Sequence, residues 1–399
     1  MTAVPDAGLR VVRLATSGVT PEQLQRVVSG LLDEGARATP RQVLEALEAR
    51  LRRGGRLAGM RAAEGALDRL QGGGARVLVA GEQGYPQRLA ELWPQLGAPL
   101  WLFVRIGMSP PGELGVPGVP EVAGAAEVPG AAVAVVGTRT PSLDGLRTAG
   151  ELAALCAELG VAVVSGMARG IDQAAHAAAL AAGGVTMAVL GTGFGVDYPR
   201  GATALREGVE RSGGLLTELL PGAPPRPVGF LHRNRIISGL ADVCVVVEGR
   251  TRSGALHTAG LAAAQGREVC AVPGSPNQPT AQAPLALIRD GARCLTRVED
   301  LRDVLTELPA SRVPAAHAPA GAAAGASPLR PRTHPLLTGS AAAVHALIGP
   351  TPATAGEVAD ALDRPLPEAL AALAELEERG FVRGTPRGYV RAPAAPAGR

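Results

Sequence analysis

From Ala132 onward the chain alternates short apolar runs with longer segments of helical character. The runs are Ala132 to Val136, Val161 to Val164, Thr186 to Leu190, Leu215 to Leu219, Val243 to Val247 and Glu268 to Val272. Short apolar strands separated by helix-length segments predict an α/β fold: a parallel sheet with crossover helices on both faces.

The flanks differ. Val11 to Leu70 reads as helical: Thr20-Pro21-Glu22-Gln23 offers an N-cap, a proline at the first helical position and an acidic first turn, and Thr39-Pro40 repeats the device. The stripe Val43, Leu44, Leu47 and Leu51 has the three-and-four spacing of a core face. A small helical domain is therefore expected over residues 1–75, ahead of a sheet domain over 76–308. At the other end, Ala341 to Ile348, Thr354 to Leu362 and Pro365 to Arg379 read as helices, followed by a hairpin with Gly388 at its turn. That order predicts a winged helix over 337–393. Pro, Gly and Ala dominate 108–131 and 309–336 without any period, so the first is expected to be a flexible insertion and the second a linker.

A length of 399 residues fits two or three such domains. There is no uninterrupted apolar stretch of roughly 20 residues and no secretion-like leader after Met1, so a soluble cytoplasmic protein with no membrane partner is expected. Cys156, Cys244, Cys270 and Cys294 are far apart and show no metal-ligand spacing, which predicts reduced buried thiols and no bound metal. The net charge of +3 leaves the class of partner open. Lysine is absent altogether, which excludes a P-loop lysine and a Schiff base. Every basic site must therefore be built from arginines, and only their placement is informative.

In open α/β sheets ligands bind beyond the carboxyl ends of the strands, where helix N-termini point amide donors at anions. Gly137-Thr138-Arg139 follows the first strand, with a hydroxyl and a guanidinium able to hold phosphate. Ser165-Gly166-Met167-Ala168-Arg169 follows the second, and then a helix carries Asp172 and a His176 expected to be a packing residue. The third leads into Phe194, Tyr198 and Arg200, the mixture that base stacking with phosphate pairing requires. Phe194, Tyr198 and Phe230 all fall in these loops, in a chain with nine aromatic residues. Arg233, Asn234 and Arg235 are expected at a helix start, one arginine toward ligand and the other toward a carboxylate such as Glu218 or Glu248. Ser253, Gly254 and Thr258 open the helix after the fifth strand and resemble an anion nest.

Together these segments resemble the family of DNA-processing protein A, also called Smf. The resemblance lies in Gly137-Thr138-Arg139, Ser165 to Asp172, Arg233-Asn234-Arg235-Ile236-Ile237-Ser238-Gly239-Leu240 and Ala271-Val272-Pro273-Gly274, and covers about Val77 to Val304. It implies an extended Rossmann-like fold that binds single-stranded DNA without catalysis or cofactor. It further implies a homodimer that loads a RecA-type recombinase during natural transformation. Under it, Arg139 and Arg200 are the main phosphate-binding arginines. The chain departs from the family pattern at Ala202, at Leu231 and at Ala255-Leu256-His257.

The principal alternative is a nucleoside-monophosphate phosphoribohydrolase on a similar fold. Its catalytic glutamate is missing, since Arg252 to Gly260 contains no carboxylate. A dinucleotide-dependent oxidoreductase is disfavoured by the glycine spacing of Gly191, Gly193 and Gly195. Duplex reading by the winged helix is disfavoured by Glu368, Glu375, Glu377 and Glu378 on its third helix.

Overall fold

The structure, a computed structural model, describes residues 6–19, 21–33, 38–94, 97–107, 130–309, 344, 354–362, 365–378, 382–385 and 388–391. The expected insertion and linker lie outside these residues apart from their edges. Four helices come first: α1 (Asp6–Thr16), α2 (Pro21–Asp33), α3 (Pro40–Arg53) and α4 (Met60–Gly72). Helix α3 begins where the sequence signal placed it. The Thr39 hydroxyl accepts from the Gln42 amide, the Gln42 side chain accepts from the Thr39 amide, and Pro40 takes the first position. Val43, Leu44, Leu47 and Leu51 are buried.

Next come β1 (Ala75–Val79), the short α5 (Gln87–Ala90) and β2 (Trp101–Arg105). The six expected strands then appear as β3 (Ala132–Val136), β4 (Ala162–Ser165), β5 (Thr186–Val189), β6 (Gly214–Thr217), β7 (Val243–Val246) and β8 (Glu268–Ala271). They are linked by α6 (Leu143–Glu158), α7 (Ile171–Ala181), α8 (Thr203–Ser212), α9 (Pro227–Leu240) and α10 (Gly254–Ala264). Helix α11 (Gln282–Arg289), β9 (Arg293–Cys294) and α12 (Asp300–Thr306) close this part.

The sheet has nine strands in the order β1-β2-β6-β5-β4-β3-β7-β8-β9. From β6 to β9 all pairings are parallel. The expectation of a parallel sheet needs correction at one edge, where β2 runs antiparallel to both β6 and β1. The reason is local: only the four-residue α5 lies between β1 and β2, too little for a parallel crossover.

Alternate residues of the central strands feed two cores. Ala132, Ala134 and Val136 join Val164, Cys244 and Val246 on one face, in the cluster that also holds α9, α10 and the buried side chains of α1 to α3. Val133 and Val135 join Val163, Val243 and Val245 on the other, against α6, α7 and α12. This two-faced burial explains why the strands read as unbroken apolar runs. Cys156, Cys244 and Cys270 are buried free thiols and Cys294 is half-buried.

Two buried polar contacts tie the layers together. Arg88 on α5 donates from Nη2 to Asp242 Oδ2 at 2.8 Å and from Nε to Oδ1 at 3.2 Å, and the Ala132 amide also donates to this carboxylate. Both side chains are about 5% exposed, so removing one leaves the other charge stranded. On α7, His176 is fully buried beside the Thr186 hydroxyl, with Nδ1 at 2.7 Å. That hydroxyl already donates to the Val163 carbonyl, so Nδ1 carries the proton and Nε2 stays bare without a partner. Burial, assisted by Arg233, lowers the His176 pKa to about 3. The expectation of a packing histidine agrees with this setting.

The remaining residues form a second compact unit from His317 to Arg399. It contains helices Ala355–Leu362 and Leu366–Glu378 and an antiparallel strand pair, Val382–Thr385 with Gly388–Arg391. Val344, Val358, Leu373, Leu376 and Val382 form its core. The helix expected at 341–348 lies outside the described residues except for Val344.

Asp242→Ala should destabilise the first unit by about 3–5 kcal/mol in urea unfolding, because it strands the Arg88 charge. The His176 pKa is depressed in the folded state, so its contribution is complete above the unfolded value of 6.5 and is lost as pH falls toward about 3. The loss approaches about 1.4 kcal/mol per pH unit, the limit for one proton. Stability measured from pH 7 to 4 should therefore fall more steeply for the wild type than for His176→Leu.

Candidate nucleic-acid interface

Along the chain, β3 to β6 step outward on one side of β3, and β7 to β9 then step outward on the other. The direction of winding reverses at β3, so its carboxyl end faces a crevice between the two sets of crossover helices. A cavity of about 740 Å³ lies there. It is built from the loop after β3, one face of α9, the loop after β7 and the start of α10.

The loop after β3 is pinned at both sides. The Thr138 amide donates to the Glu248 carbonyl at 2.8 Å, and the Ile171 amide donates to the Thr138 carbonyl. The Ser142 hydroxyl caps α6, and both its amide and hydroxyl donate to the Glu248 carboxylate. Glu248 thus anchors the loop and, among the described residues, pairs with no arginine. Gly137 is required by packing: a Cβ there would lie 2.5 Å from Ile171 Cγ1. Held this way, Arg139 projects into solvent, 5.3 Å above the Phe230 ring.

Helix α9 supplies the floor. Phe230, Arg233, Asn234 and Ile237 share one face at three-and-four spacing and all line the cavity. The expectation that Arg233 to Arg235 open a helix is corrected, since α9 begins at Pro227 and places them in its middle. The earlier start follows from proline at the first helical position, a signal present in the sequence. Arg233 is 6% exposed and donates from Nη1 to the Val189 carbonyl at 2.9 Å. Its guanidinium passes directly over Gly166, where a Cβ would sit 1.6 Å from Nη1. Burial lowers the Arg233 pKa to about 10, opposed by the nearby Asp172 and reinforced by Arg139, so it remains a cation at neutral pH. Burial raises the Asp172 pKa, while Arg233 and the Gly166 and Ala168 amides lower it. Those two hydrogen bonds clasp Met167, which adopts a φ of 58°.

The third side comes from α10. Ser253 is its N-cap, accepting from the Leu256 amide, and Thr258 donates back to the Gly254 carbonyl. Asn234 Nδ2 donates to the same carbonyl and locks α9 to α10. The helix therefore turns its amino end toward the cavity, with Arg250 and Arg252 on the preceding loop. Tyr198 completes the lining, its ring 5.1 Å from that of Phe230. Arg206 fixes this loop by donating to the carbonyls of Val196 and Tyr198.

Nine of the fifteen expected site residues therefore meet in one cavity: Gly137, Thr138, Arg139, Tyr198, Arg233, Asn234, Ser253, Gly254 and Thr258. The other six do not line it. Ser165 is fully buried and donates to the Val135 carbonyl, and Gly166 is covered by Arg233. Phe194 is a core residue, 6% exposed, with Arg105 stacked 5.4 Å from its ring, so it offers no face to a base. Arg235 points off the opposite side of α9 and pairs with Glu218 at 2.7 Å. Arg169 and Arg200 are exposed beyond the lining residues Ala168 and Tyr198. Sequence reasoning noted Phe230 as a loop aromatic without counting it as a site residue, whereas it stands on α9, and it left out Arg250 and Arg252 in the loop before α10.

Arg10, Arg88, Arg105, Arg235, Arg293 and Arg297 are ion-paired. The exposed side chains of Arg139, Arg250 and Arg252 have no carboxylate partner among the described residues. Three guanidiniums around a helix N-terminus and an aromatic pair bring together the groups that pair with phosphates and stack on rings.

Comparison with known proteins identifies the family. The model of the DNA recombination-mediator protein A family matches residues 76–306. The chain belongs to that family. Protein Smf of Escherichia coli is 37% identical over 260 residues, covering 65% of this chain and 67% of its own length. Two Mycobacterium tuberculosis relatives named DNA processing protein DprA are 47% identical over 175 residues, and the chain spans 45% of their length. Among solved structures, DNA processing protein A from Streptococcus pneumoniae superposes with a TM-score of 0.56 at 28% identity, over 76% of this chain and 98% of that one. The family match begins at β1 and ends in α12, so it takes in the whole sheet and every residue of the cavity.

The tight passage of Arg233 over Gly166 sets a test for this mediator fold. Gly166→Ala should cost about 1–3 kcal/mol by displacing the guanidinium. In an Arg233→Ala background the same substitution should cost much less, a coupling that a double-mutant cycle in urea would read.

Proposed function

We propose that the protein binds single-stranded DNA in the cavity at the carboxyl end of β3, and that it does so without catalysis. The observation that carries this reading is the convergence of Arg139, Arg250 and Arg252 around the Tyr198–Phe230 ring pair. Phosphates would meet the guanidiniums and the amino end of α10, while the rings offer surfaces that only unpaired bases can reach. None of these contacts reads a base edge in a groove, so binding should tolerate any sequence.

The lining also bears on catalysis. Among the described lining residues Asp172 is the one carboxyl group, and it is engaged with two backbone amides and the Arg233 charge. A hydrolase acting on nucleoside monophosphates needs a carboxyl free to exchange a proton.

Membership in a recombination-mediator family supports the wider part of the proposal. The chain would act as a homodimer in the cytoplasm and pass the bound strand to a RecA-type recombinase, as natural transformation requires. The unit from His317 to Arg399 would be a winged helix serving protein contact rather than duplex reading, in keeping with the acidic Leu366–Glu378 helix.

Fluorescence anisotropy with a labelled oligothymidylate tests the core of the reading. Single strands should bind more tightly than duplex of equal length. Affinity should fall with salt at a log-log slope of about −2 to −3, as expected for three or four phosphates. Arg139→Ala, Arg250→Ala and Arg252→Ala should each weaken binding about ten-fold, ~1.4 kcal/mol, and make the slope shallower by about 0.7. Arg169→Ala and Arg200→Ala should have smaller effects, below about three-fold. Unchanged affinity in the triple variant, with the fold intact, would refute the site.

A further inference from the structure

The turn that joins α3 to α4 carries a cluster of cations remote in sequence from the channel. Arg50, Arg52, Arg53, Arg56 and Arg61 are all exposed, and residues 49–63 include no acidic residue. The two α3 carboxylates that precede them are already engaged, Glu45 by Arg41 and Glu48 by Arg10. None of the five guanidiniums has a carboxylate partner among the described residues. The turn that presents them is closed by backbone bonds. Gly55 takes a φ of 63°, its amide donates to the Arg52 carbonyl at 3.1 Å, and the Arg56 amide donates to the Leu51 carbonyl at 2.9 Å. This pair of bonds is the glycine-terminated stop of a helix. Helix α1 pins the other side, where Arg13 Nε donates to the Ala58 carbonyl at 2.7 Å and the Ala58 amide donates to the Ser17 hydroxyl at 2.8 Å.

Helix stability accounts for part of the cluster. Arg50, Arg52 and Arg53 stand in the last turn of α3, where the helix dipole favours cations. Arg61 stands in the first turn of α4, where the same effect disfavours one. That helix has Gly59 as its N-cap, no side-chain bond to its first amides and no acid in its first turn. Positive charge at this position becomes favourable when an anion is bound.

We propose that this turn is a second nucleic-acid surface, one that holds the phosphate backbone of duplex DNA. The chain has no aromatic residue before Tyr85, so the turn can pair with phosphates and has no ring on which to stack a base. That is the reverse of the channel with its Tyr198–Phe230 pair. A surface that senses charge alone favours the form with the higher charge density, and a duplex carries one charge per about 1.7 Å of axis, twice that of one strand. Met60 is the one exposed large hydrophobic side chain among residues 50–61, too little for the apolar anchor of a protein interface or the inserted face of a membrane-bound helix. The proposal does not depend on the channel. With both surfaces, the protein would grip a duplex by one and an unpaired strand by the other.

Fluorescence anisotropy of the full chain with a short labelled duplex and an oligothymidylate of equal length tests this. Arg50→Gln, Arg53→Gln, Arg56→Gln and Arg61→Gln combined should weaken duplex binding about ten-fold or more. The log-log salt slope should become shallower by about 3 to 4, at about 0.9 per phosphate contact. Single-strand affinity should change less than about three-fold. A charge-matched control, Arg76→Gln, Arg147→Gln, Arg289→Gln and Arg302→Gln, removes the same charge from other exposed positions and should leave duplex affinity within about two-fold. Each patch substitution alone should take about 0.9 from the slope, which keeps the test open if the combination fails to fold. Arg61→Gln should also raise the urea midpoint of the free protein slightly while weakening duplex binding, a split that a purely structural arginine would not show. Unchanged duplex affinity and slope in the combined variant would overturn the proposal, as would an equal loss in the control or an equal loss of single-strand affinity. Loss of binding to phosphatidylglycerol vesicles with duplex binding retained would assign the turn to a lipid surface instead. A wild type that binds single strands and no duplex would overturn it while leaving the channel reading intact.

Discussion

One buried guanidinium organises the functional end of this molecule. Arg233 is threaded between α9 and the ends of β4 and β5, and it fits only because residue 166 has no side chain. Burying a cation is unfavourable unless it is hydrogen-bonded and balanced. The Val189 carbonyl and the Asp172 charge meet that need. Asp172 in turn gathers the Gly166 and Ala168 amides and shapes the turn after β4. Two strand ends and two helices are thereby fixed relative to one cation, and the floor of the channel is defined before any ligand arrives.

Around that floor the exposed groups need little machinery of their own. Arg139 sits on a loop pinned by Glu248 and Ile171, Tyr198 on one pinned by Arg206, and α10 is locked to α9 through Asn234. Rigid presentation of charge lowers the ordering cost of binding. Arg139, Arg250 and Arg252, without carboxylate partners among the described residues, stand around the crevice where the sheet reverses its winding, the place where α/β folds receive ligands. A net charge of only +3 is compatible with such a cluster, because the local field depends on where cations stand and not on their sum over the chain.

Much of the fold was legible in the sequence. All six apolar runs became strands, since burial on both faces leaves an unbroken signature, and the Thr39-Pro40 cap marked its helix to the residue. The antiparallel β1–β2 edge escaped because the apolar runs were read only from Ala132 onward, and neither of these strands lies there. The site was legible as a set of loops but only partly as a set of side chains. Loop membership cannot say which way a residue points: Phe194 turned inward beneath Arg105, and Ser165 bonded within the sheet. The pair Arg233 and Arg235 shows where periodicity helps, because two residues apart on a helix must diverge, and Glu218 claimed the second. Arg250 and Arg252 were passed over because an arginine in a chain without lysine carries little weight until its neighbours are known.

The central claim is that an unpaired strand lies across the Tyr198–Phe230 ring pair. Photocrosslinking addresses it most directly: an oligothymidylate bearing 4-thiothymidine is bound at low salt, irradiated and mapped by mass spectrometry on the full chain. The account predicts adducts on peptides carrying Tyr198 or Phe230, reduced when Arg139 is replaced by alanine. Adducts confined to residues 317–399, unaffected by that substitution, would contradict it.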